Sequence, residues 1–226
     1  MFSGIGMNDF VLIYGTEEEC IALYEEFKEN HQELIKQRKD RINSLVTEYN
    51  PIQSNLPELD KSLDWITITM DELITRQQGN GIYAGLPWFN EYWGRDMFIS
   101  MPGACLVTGQ FDIAKQILKD FAKLQDTQSE TYGRIPNRAN LEGILYNTTD
   151  GTPRFVIQAY QLAQYSGDTE FLHELYPAIK ISIDASIRNY TDSKGYLTHA
   201  DADTWMDVKR NGIPCSPRGN RANDIQ

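Results

Sequence analysis

The 226-residue sequence is poor in cysteine and has no pattern for disulfides or zinc. Its three cysteines, Cys20, Cys105 and Cys215, are odd in number, lie far apart and form no CxxC pair. A disulfide framework needs paired cysteines, and a structural zinc site needs closely spaced ligands. We therefore predict three free thiols in a reducing compartment.

An excess of positive charge and a long apolar run are also missing. The 21 Lys and Arg residues face 32 Asp and Glu residues, which gives a formal net charge of −11. This charge argues against nucleic acid or an anionic membrane as a partner, but a neutral sugar is unaffected by it. No stretch reaches the ~20 apolar residues of a membrane span, and the N-terminus has no basic start or apolar core of a secretion signal. We expect a soluble, cytoplasmic protein.

Motifs for nucleotide binding and for nucleophilic catalysis are absent as well. The sequence has no Walker loop, no GxGxxG and no GxSxG, and no Cys/His pair suits a nucleophile. The N-x-[ST] triplets at Asn147 and Asn189 are expected chance matches, because no secretion signal accompanies them. No cofactor is predicted.

What the sequence does contain is a series of helical patterns joined by loops. A strand-like run over 9–14 precedes a capping box of Thr16 and Glu19, and one long amphipathic helix then ends at Asn50-Pro51. The later predicted helices share aliphatic faces and recognisable ends: 59–77; a helix from about 95 to 108; 111–125, with Phe111, Ala114, Ile117, Leu118 and Phe121 buried; Thr152 as N-cap to Gly167; and Asp168 to about Tyr190, broken at Pro177.

The loops between these helices differ in length and content. Long loops hold the glycines, tryptophans, arginines and aspartates, whereas the helix faces hold plain aliphatic residues. A toroid of paired helices has this organisation, since the helices form a wall and the loops on one rim form a site. No strand alternates with the helices, which argues against a parallel α/β sheet. The predicted fold class is all-α.

The segment 198–207, THADADTWMD, is the richest candidate for chemistry. Asp201, Asp203 and Asp207 lie within seven residues together with Trp205. Clustered carboxylates repel one another and an indole excludes water, so at least one of them is expected to keep its proton to a higher pH. A protonated carboxyl group is what a glycosidase needs to protonate the departing oxygen.

Two other interpretations of this segment remain open. His199, Asp201 and Asp203 could ligate a cation, although a calcium loop that begins at Asp201 would need Gly at 206 and Glu at 212, where the sequence has Met206 and Gly212. The segment could also be a solvated loop with no chemical role.

A second candidate is 85–96, GLPWFNEYWGRD. Its aromatic residues, Trp88, Phe89, Tyr92 and Trp93, are suited to stack on pyranose rings, although each could equally be a core residue. Arg95 and Asp96 could each make paired hydrogen bonds to neighbouring hydroxyl groups, or instead form a structural ion pair and a helix cap.

Three further loops carry weaker signals. They offer Arg134 and Asn137 in GRIPN, Asp150 in YNTTDGT, and Arg218 in SPRGN. Any one of them alone would be taken as a turn. Five polar loops on one rim of a helical toroid make a more specific pattern.

Together, AGLPWFNEYWGRDMFIS, GRIPN, YNTTDGTP, GYLTHADADTWMD and SPRGNRANDIQ resemble the glucosidase domain of glycogen debranching enzymes, in the glucoamylase-like (α/α)6 group. The resemblance covers about 59–226. It implies a partial (α/α)6 toroid and inverting hydrolysis of the α-1,6-linked glucose at a branch of glycogen or limit dextrin. We predict no metal site.

The resemblance further implies roles for individual residues. Asp207 would be the general acid, and Arg95 and Asp96 would hold the hydroxyl groups of the glucose. The other implied or candidate substrate contacts are Trp88, Trp93, Trp205, Arg134, Asp150 and Arg218. The general base of the family is a later glutamate, so we expect the chain to hold one member of a carboxyl pair that stands about 6.5–9.5 Å apart in inverting enzymes. Arg154 departs from the family, which commonly has an aromatic residue after TP.

The expected organisation is 1–55 as the end of an upstream β-rich domain plus a linker helix, and 56–226 as the N-terminal part of the glucosidase domain, truncated at its C-terminus. Two alternatives stay open. One is another inverting α-glucosidase of this fold with a different linkage preference, and the other is a carbohydrate-binding remnant without activity.

Overall fold

The computed structural model describes residues 12–48, 52–76, 79–140 and 143–217. It divides the chain into two compact units, Met1–Pro51 and Ile52–Gln226, which are treated separately below. Helix accounts for 56% of the structure and strands for little of it, which is compatible with an all-α glycosidase fragment. Within the described ranges, no helix is both long enough and apolar enough to cross a bilayer. The cytoplasmic location stays a prediction.

The first unit is built around one long helix, α1 (Glu17–Glu48). The predicted capping box is confirmed: the Thr16 N–H donates to Glu19 Oε2 at 2.8 Å, and the Glu19 N–H donates to Thr16 Oγ1 at 3.3 Å. These bonds satisfy two backbone donors that a helix start leaves unpaired. The strand predicted over 9–14 is not present at 12–14, and its other residues lie outside the described ranges.

The second unit contains five α-helices and short strands among its described residues. The helices are α2 (Pro57–Leu73), α3 (Gly94–Met101), α4 (Phe111–Lys123), α5 (Gly151–Ser166) and α6 (Glu170–Asn189). A five-residue π-helical segment, Pro102–Leu106, continues α3. The strands are β1 (Ile74–Thr75), β2 (Gly81–Ile82), β3 (Tyr92–Trp93), β4 (Arg138–Asn140), β5 (Gly143–Leu145), β6 (Lys209–Arg210) and β7 (Ile213–Pro214).

The core of this unit lies between α3, α4 and α5. The Phe98 ring meets Phe121 and Phe155 edge to face, with centroids 5.6 and 5.7 Å apart. Such edge contacts stabilise aromatic pairs beyond the area they bury. The buried face predicted for α4 is confirmed at Ala114, Ile117, Leu118 and Phe121, whereas Phe111 is only half-buried.

Several predicted helix boundaries were wrong. Helix α2 ends at Leu73 rather than near 77, because Ile74 and Thr75 pair with β2. Helix α5 begins at Gly151, so Thr152 is not its N-cap. The Thr152 hydroxyl instead accepts a hydrogen bond from the Ile135 N–H at 2.9 Å. The Thr152 side chain, which we expected to cap α5, therefore satisfies the buried N–H of Ile135 instead.

Helix α6 corrects a further expectation, since it continues through Pro177. A proline removes one helical hydrogen bond and crowds the preceding turn. Phe171 and Leu175 before it and Ser182 and Ala185 after it are buried, so packing holds both halves of the helix in line. The predicted end of α5 at Gly167 is confirmed, with the left-handed φ of 72° that favours glycine there.

A small antiparallel sheet connects the start of α3 to the long loop before α5. Its order is β3-β4-β5, with Tyr92 opposite Ala139 and Arg138 opposite Leu145. Because β3 runs directly into α3, the sheet fixes where the first turn of that helix lies. The candidate site residues Arg95 and Asp96 lie in this first turn, so the sheet also sets their position.

Candidate active site

The candidate site begins at Gly94, where strand β3 becomes helix α3. The Gly94 N–H donates to the Asn137 carbonyl at 2.7 Å. A Cβ at position 94 would lie 2.4 Å from the Pro136 carbonyl oxygen, so only glycine permits this close approach. The glycine of the WGRD motif therefore lets the chain turn into α3 against the 136–137 backbone. Arg95 follows in the first helical turn.

Arg95 connects three segments through its guanidinium group. Nη2 donates to Asp207 Oδ2 at 3.0 Å, and Nη1 donates to the Thr204 carbonyl at 3.1 Å. Asp150 Oδ2 lies 3.6 Å from Nη1, and Asp96 Oδ2 lies 3.9 Å from Nε. Three carboxyl groups thus surround one guanidinium group whose side chain is 11% exposed.

A cavity of about 440 Å³ opens beside this cluster. Its volume is within the range of about 300–1,000 Å³ that is usual for small-molecule sites. Trp93 is held by Arg138, whose guanidinium carbon lies 5.6 Å from the Trp93 ring centroid. The cavity thus combines an aromatic face with charged hydrogen-bonding groups. Its lining residues are Ala84, Phe89, Trp93, Arg95, Asp96, Asn147 and Asp207.

Asp150 lies behind Arg95 and does not line the cavity. It is 3% exposed, and neither of its carboxyl oxygens has a hydrogen bond of standard geometry within the described residues. Burial raises the pKa of Asp150, and the nearby Arg95 opposes that rise. In this position Asp150 lies next to Arg95, and the substrate contact that we predicted for it stays a prediction.

The aspartates of the 198–207 segment do not form one carboxylate cluster. Asp207 faces Arg95, whereas both oxygens of Asp203 face Arg134, at 3.3 and 3.4 Å. Asp201 is exposed. The mutual repulsion on which we based the expected retention of a proton is therefore relieved by two separate arginines.

Arg134 is part of the packing of the unit rather than of the cavity wall. It also donates to the Tyr146 carbonyl at 2.9 Å, and its guanidinium carbon lies 4.9 Å from the Tyr190 ring centroid. The Asp203 carbonyl accepts hydrogen bonds from the backbone and hydroxyl groups of Thr149, both at 2.8 Å. This region fastens the 198–207 loop to the segment before α5.

The remaining predicted contacts lie elsewhere. Trp88 is 84% exposed and Trp205 is 50% exposed, and neither lines the cavity. Arg218 lies outside the described residues, so its predicted contact stays a prediction. Tyr92, from the same aromatic segment, is buried, and its hydroxyl donates to the Gly79 carbonyl at 2.9 Å.

The structure adds lining residues that we did not predict as site residues. Phe89 was counted only among the aromatic residues, and Asn147 only as a chance N-x-[ST] match. Asn147 is oriented by the fully buried Asn137, whose Nδ2 donates to Asn147 Oδ1 at 3.2 Å. The density of polar residues in YNTTDGT was the available signal for Asn147.

The metal interpretation of the same loop has little support in the geometry. Over the described part of the chain, no group of three or more His, Cys, Asp or Glu side chains is arranged to hold a metal ion. Asp203, one of the three proposed ligands, is engaged by Arg134. The site brings together a carboxyl group, a guanidinium group and an aromatic face around one cavity.

Comparison with known proteins identifies a matching family and a similar protein. Residues 61–226 match the family described as Amylo-alpha-1,6-glucosidase. The chain is also similar to a glycogen debranching enzyme of Saccharomyces cerevisiae, with 34% identity over 110 residues. That alignment covers 42% of this chain and 7% of the yeast protein, so the chain spans only a small part of that relative.

Proposed function

The chain belongs to the amylo-alpha-1,6-glucosidase family, and from this premise we propose that it acts in glycogen debranching by hydrolysing an α-1,6-linked glucose of a branched glucan. One observation carries the proposal: Asp207 and Arg95 are in contact on the wall of a cavity that also holds Asp96 and Trp93. A carboxyl group, hydrogen-bonding charges and an aromatic face are the groups that a glycosidase needs around one sugar ring.

In this proposal each group has a separate task. Asp207 is the general acid that protonates the departing glycosidic oxygen. Arg95 donates to hydroxyl groups of the glucose, and Asp96, whose side chain is 42% exposed, accepts from them. Trp93, fixed by Arg138, offers an apolar surface to the ring.

The Arg95–Asp207 contact imposes a condition on this mechanism. Arg95 Nη2 holds Asp207 Oδ2 at 3.0 Å, whereas a general acid has to reach the glycosidic oxygen. We therefore propose that hydroxyl groups of the bound glucose replace Asp207 as the partners of Arg95. Asp207 is then free to turn toward the glycosidic oxygen.

The proposed stereochemical outcome is inversion. Inversion needs a second carboxyl group that activates a water molecule on the opposite face of the sugar. The proposal assigns this general base to none of the described residues. We also propose that 56–226 form part of an (α/α)6 toroid.

The central test measures free glucose released from a limit dextrin that carries single α-1,6-linked glucose residues. In a full-length version of the protein that supplies the general base, we expect glucose release and a loss of about 10²–10⁴-fold for Asp207→Asn, since that is the usual contribution of general acid catalysis. Inversion predicts that the glucose first appears as the β-anomer, which proton NMR detects before mutarotation.

Asp203→Asn is the matched control, because it removes a carboxylate from the same loop that faces Arg134 instead of the cavity. It should retain most of the glucose release per folded molecule. Full activity of Asp207→Asn would refute the acid assignment. Faster release from a linear α-1,4 glucan than from the branched one would favour the alternative linkage preference, and binding without any release would favour a carbohydrate-binding role.

A further inference from the structure

The 85–89 loop presents an indole to solvent next to the cavity. The Gly85 N–H donates to the Phe89 carbonyl at 3.2 Å, and the Phe89 N–H donates to the Gly85 carbonyl at 2.7 Å. This pair of bonds closes the loop on itself. Between the two ends, Leu86 is 54% exposed and Trp88 is 84% exposed. Phe89, the next residue, lines the cavity.

The end of this loop is fixed to the small sheet. Glu91 accepts a hydrogen bond from Asn140 Nδ2 at 2.7 Å and faces Arg138 Nη1 at 3.7 Å. Tyr92 then pairs with Ala139 across the sheet. Trp88 therefore lies on a closed loop whose end is anchored to the sheet. Binding of a ligand to Trp88 should cost little conformational entropy, because the loop is already ordered.

The inside and the outside of the cavity differ in chemistry. The inside combines charged groups that suit the hydroxyl groups of one sugar with an aromatic face; the residues are Arg95, Asp96, Asp207, Phe89 and Trp93. Outside, Leu86 and Trp88 offer apolar surface. A cavity of about 440 Å³ accommodates a small molecule and not a polysaccharide. If the proposed function holds, most of a branched glucan therefore lies outside the cavity, and this loop borders the cavity through Phe89.

We propose that Trp88 is a stacking platform for the α-1,4-linked glucan chain outside the cavity, the chain that bears the glucose to be released. This inference depends on the proposed function in one respect: the sugar inside the cavity is taken to be the glucose that is released. The apolar faces of glucose rings stack on an indole, and a neutral chain is not repelled by a protein of net charge −11. Trp88 thereby contributes to the recognition of a polymer over a monosaccharide.

The test compares the binding of maltohexaose and of glucose to the 226-residue protein by NMR titration. Trp88→Ala should raise the Kd for maltohexaose about tenfold, as expected when one aromatic stacking contact is lost, and leave the Kd for glucose unchanged. Trp88→Phe retains an aromatic face and should restore part of the affinity. Circular dichroism verifies that each variant is folded.

Trp65→Ala is the matched control, because Trp65 is an exposed tryptophan on α2 that does not line the cavity. It should leave both dissociation constants unchanged. An unchanged Kd for maltohexaose in Trp88→Ala, an equal loss in Trp65→Ala, or no binding of maltohexaose to the unaltered protein would overturn the proposal. Failure of the proposed function is a separate result, since it is read from the absence of glucose release and not from these titrations.

Discussion

Arg95 and Arg134 are two nearly buried arginines that bind aspartates of the same loop in different surroundings. Their side chains are 11% and 12% exposed, and their loop partners are Asp207 and Asp203. Arg134 has one carboxylate, a backbone carbonyl and the face of Tyr190 around it. Arg95 has three carboxyl groups around it and faces a cavity.

The Arg95 and Arg134 centres differ in the ratio of cations to carboxyl groups. One guanidinium group neutralises one carboxylate at Arg134, which is an arrangement that stabilises a fold. Three acids lie around Arg95, and Arg154 acts on one of them, Asp150, so two cations face three acids. This excess of negative charge costs stability unless a partner arrives. Such unbalanced clusters are typical of functional sites. The two centres therefore predict opposite patterns: substitutions at Arg134 should act on stability, and substitutions at Arg95 mainly on activity.

The largest effect on stability is expected for Arg134→Met, which keeps the aliphatic stem but removes the charge. Asp203, whose side chain is 14% exposed, would then be an uncompensated carboxylate in the protein interior. Removal of one partner from a buried ion pair typically costs about 3–5 kcal/mol. We expect a fall of this size in the free energy of unfolding, measured by urea denaturation.

Arg95→Met provides the comparison for that experiment. Asp207 lines the open cavity and can be hydrated there, and the buried Asp150 keeps a second cation, Arg154, so the expected loss of stability is smaller, about 1–2 kcal/mol. Glucose release should nevertheless be lost. The distinction between the two centres would be wrong if Arg95→Met proved the more destabilising of the two substitutions.

Sequence reasoning identified the participants of the site better than their pairing. WGRD and TWMD were predicted to form one site, and Arg95 and Asp207 are in contact although they are 112 residues apart. The division of the aspartates between two arginines was not predictable, because local spacing does not reveal which distant cation each side chain meets. The same limit applies to Asp150, whose burial behind Arg95 depends on tertiary packing.

The fold shows the same division between local and long-range causes. The Thr16–Glu19 capping box and the end of α5 at Gly167 are decided by neighbouring residues, and both predictions were confirmed. The expected break at Pro177 was wrong because packing on both sides sustains α6. The Thr152 cap was wrong because the hydroxyl serves Ile135, a residue 17 positions away.

Asp150→Asn is expected to change the pH dependence of the free energy of unfolding, with an effect of intermediate size. Burial raises the pKa of Asp150, so this group contributes stability below its unfolded pKa of about 3.9 and loses that contribution as the pH rises through the folded pKa. The Asn variant lacks this titration. Its unfolding free energy relative to the unaltered protein should therefore increase from pH 3 to pH 7, by about 1.4 kcal/mol for each unit of pKa shift.

Asp168→Asn is a control of opposite sign for that measurement. Lys115, 2.8 Å away, lowers the pKa of Asp168 through a hydrogen bond, so its contribution is present above the unfolded pKa and is lost as the pH falls. Relative to the unaltered protein, this variant should become less stable from pH 3 to pH 7. If both variants changed in the same direction, burial of Asp150 would not be the cause of its effect.

The smallest effect is expected at the aromatic face of the Arg134 centre. Tyr190→Phe keeps the ring beside the Arg134 guanidinium group and removes a hydroxyl group that donates to the Tyr132 carbonyl at 3.1 Å. The expected loss is about 0.5–1.5 kcal/mol in the free energy of unfolding, the usual net value of one such hydrogen bond. Tyr190→Leu also removes the cation–π contact and should cost about 0.5–1 kcal/mol more. Equal losses in the two variants would mean that the Tyr190 ring adds nothing to the free energy of unfolding. Arg134 would then be held by Asp203 and the Tyr146 carbonyl alone.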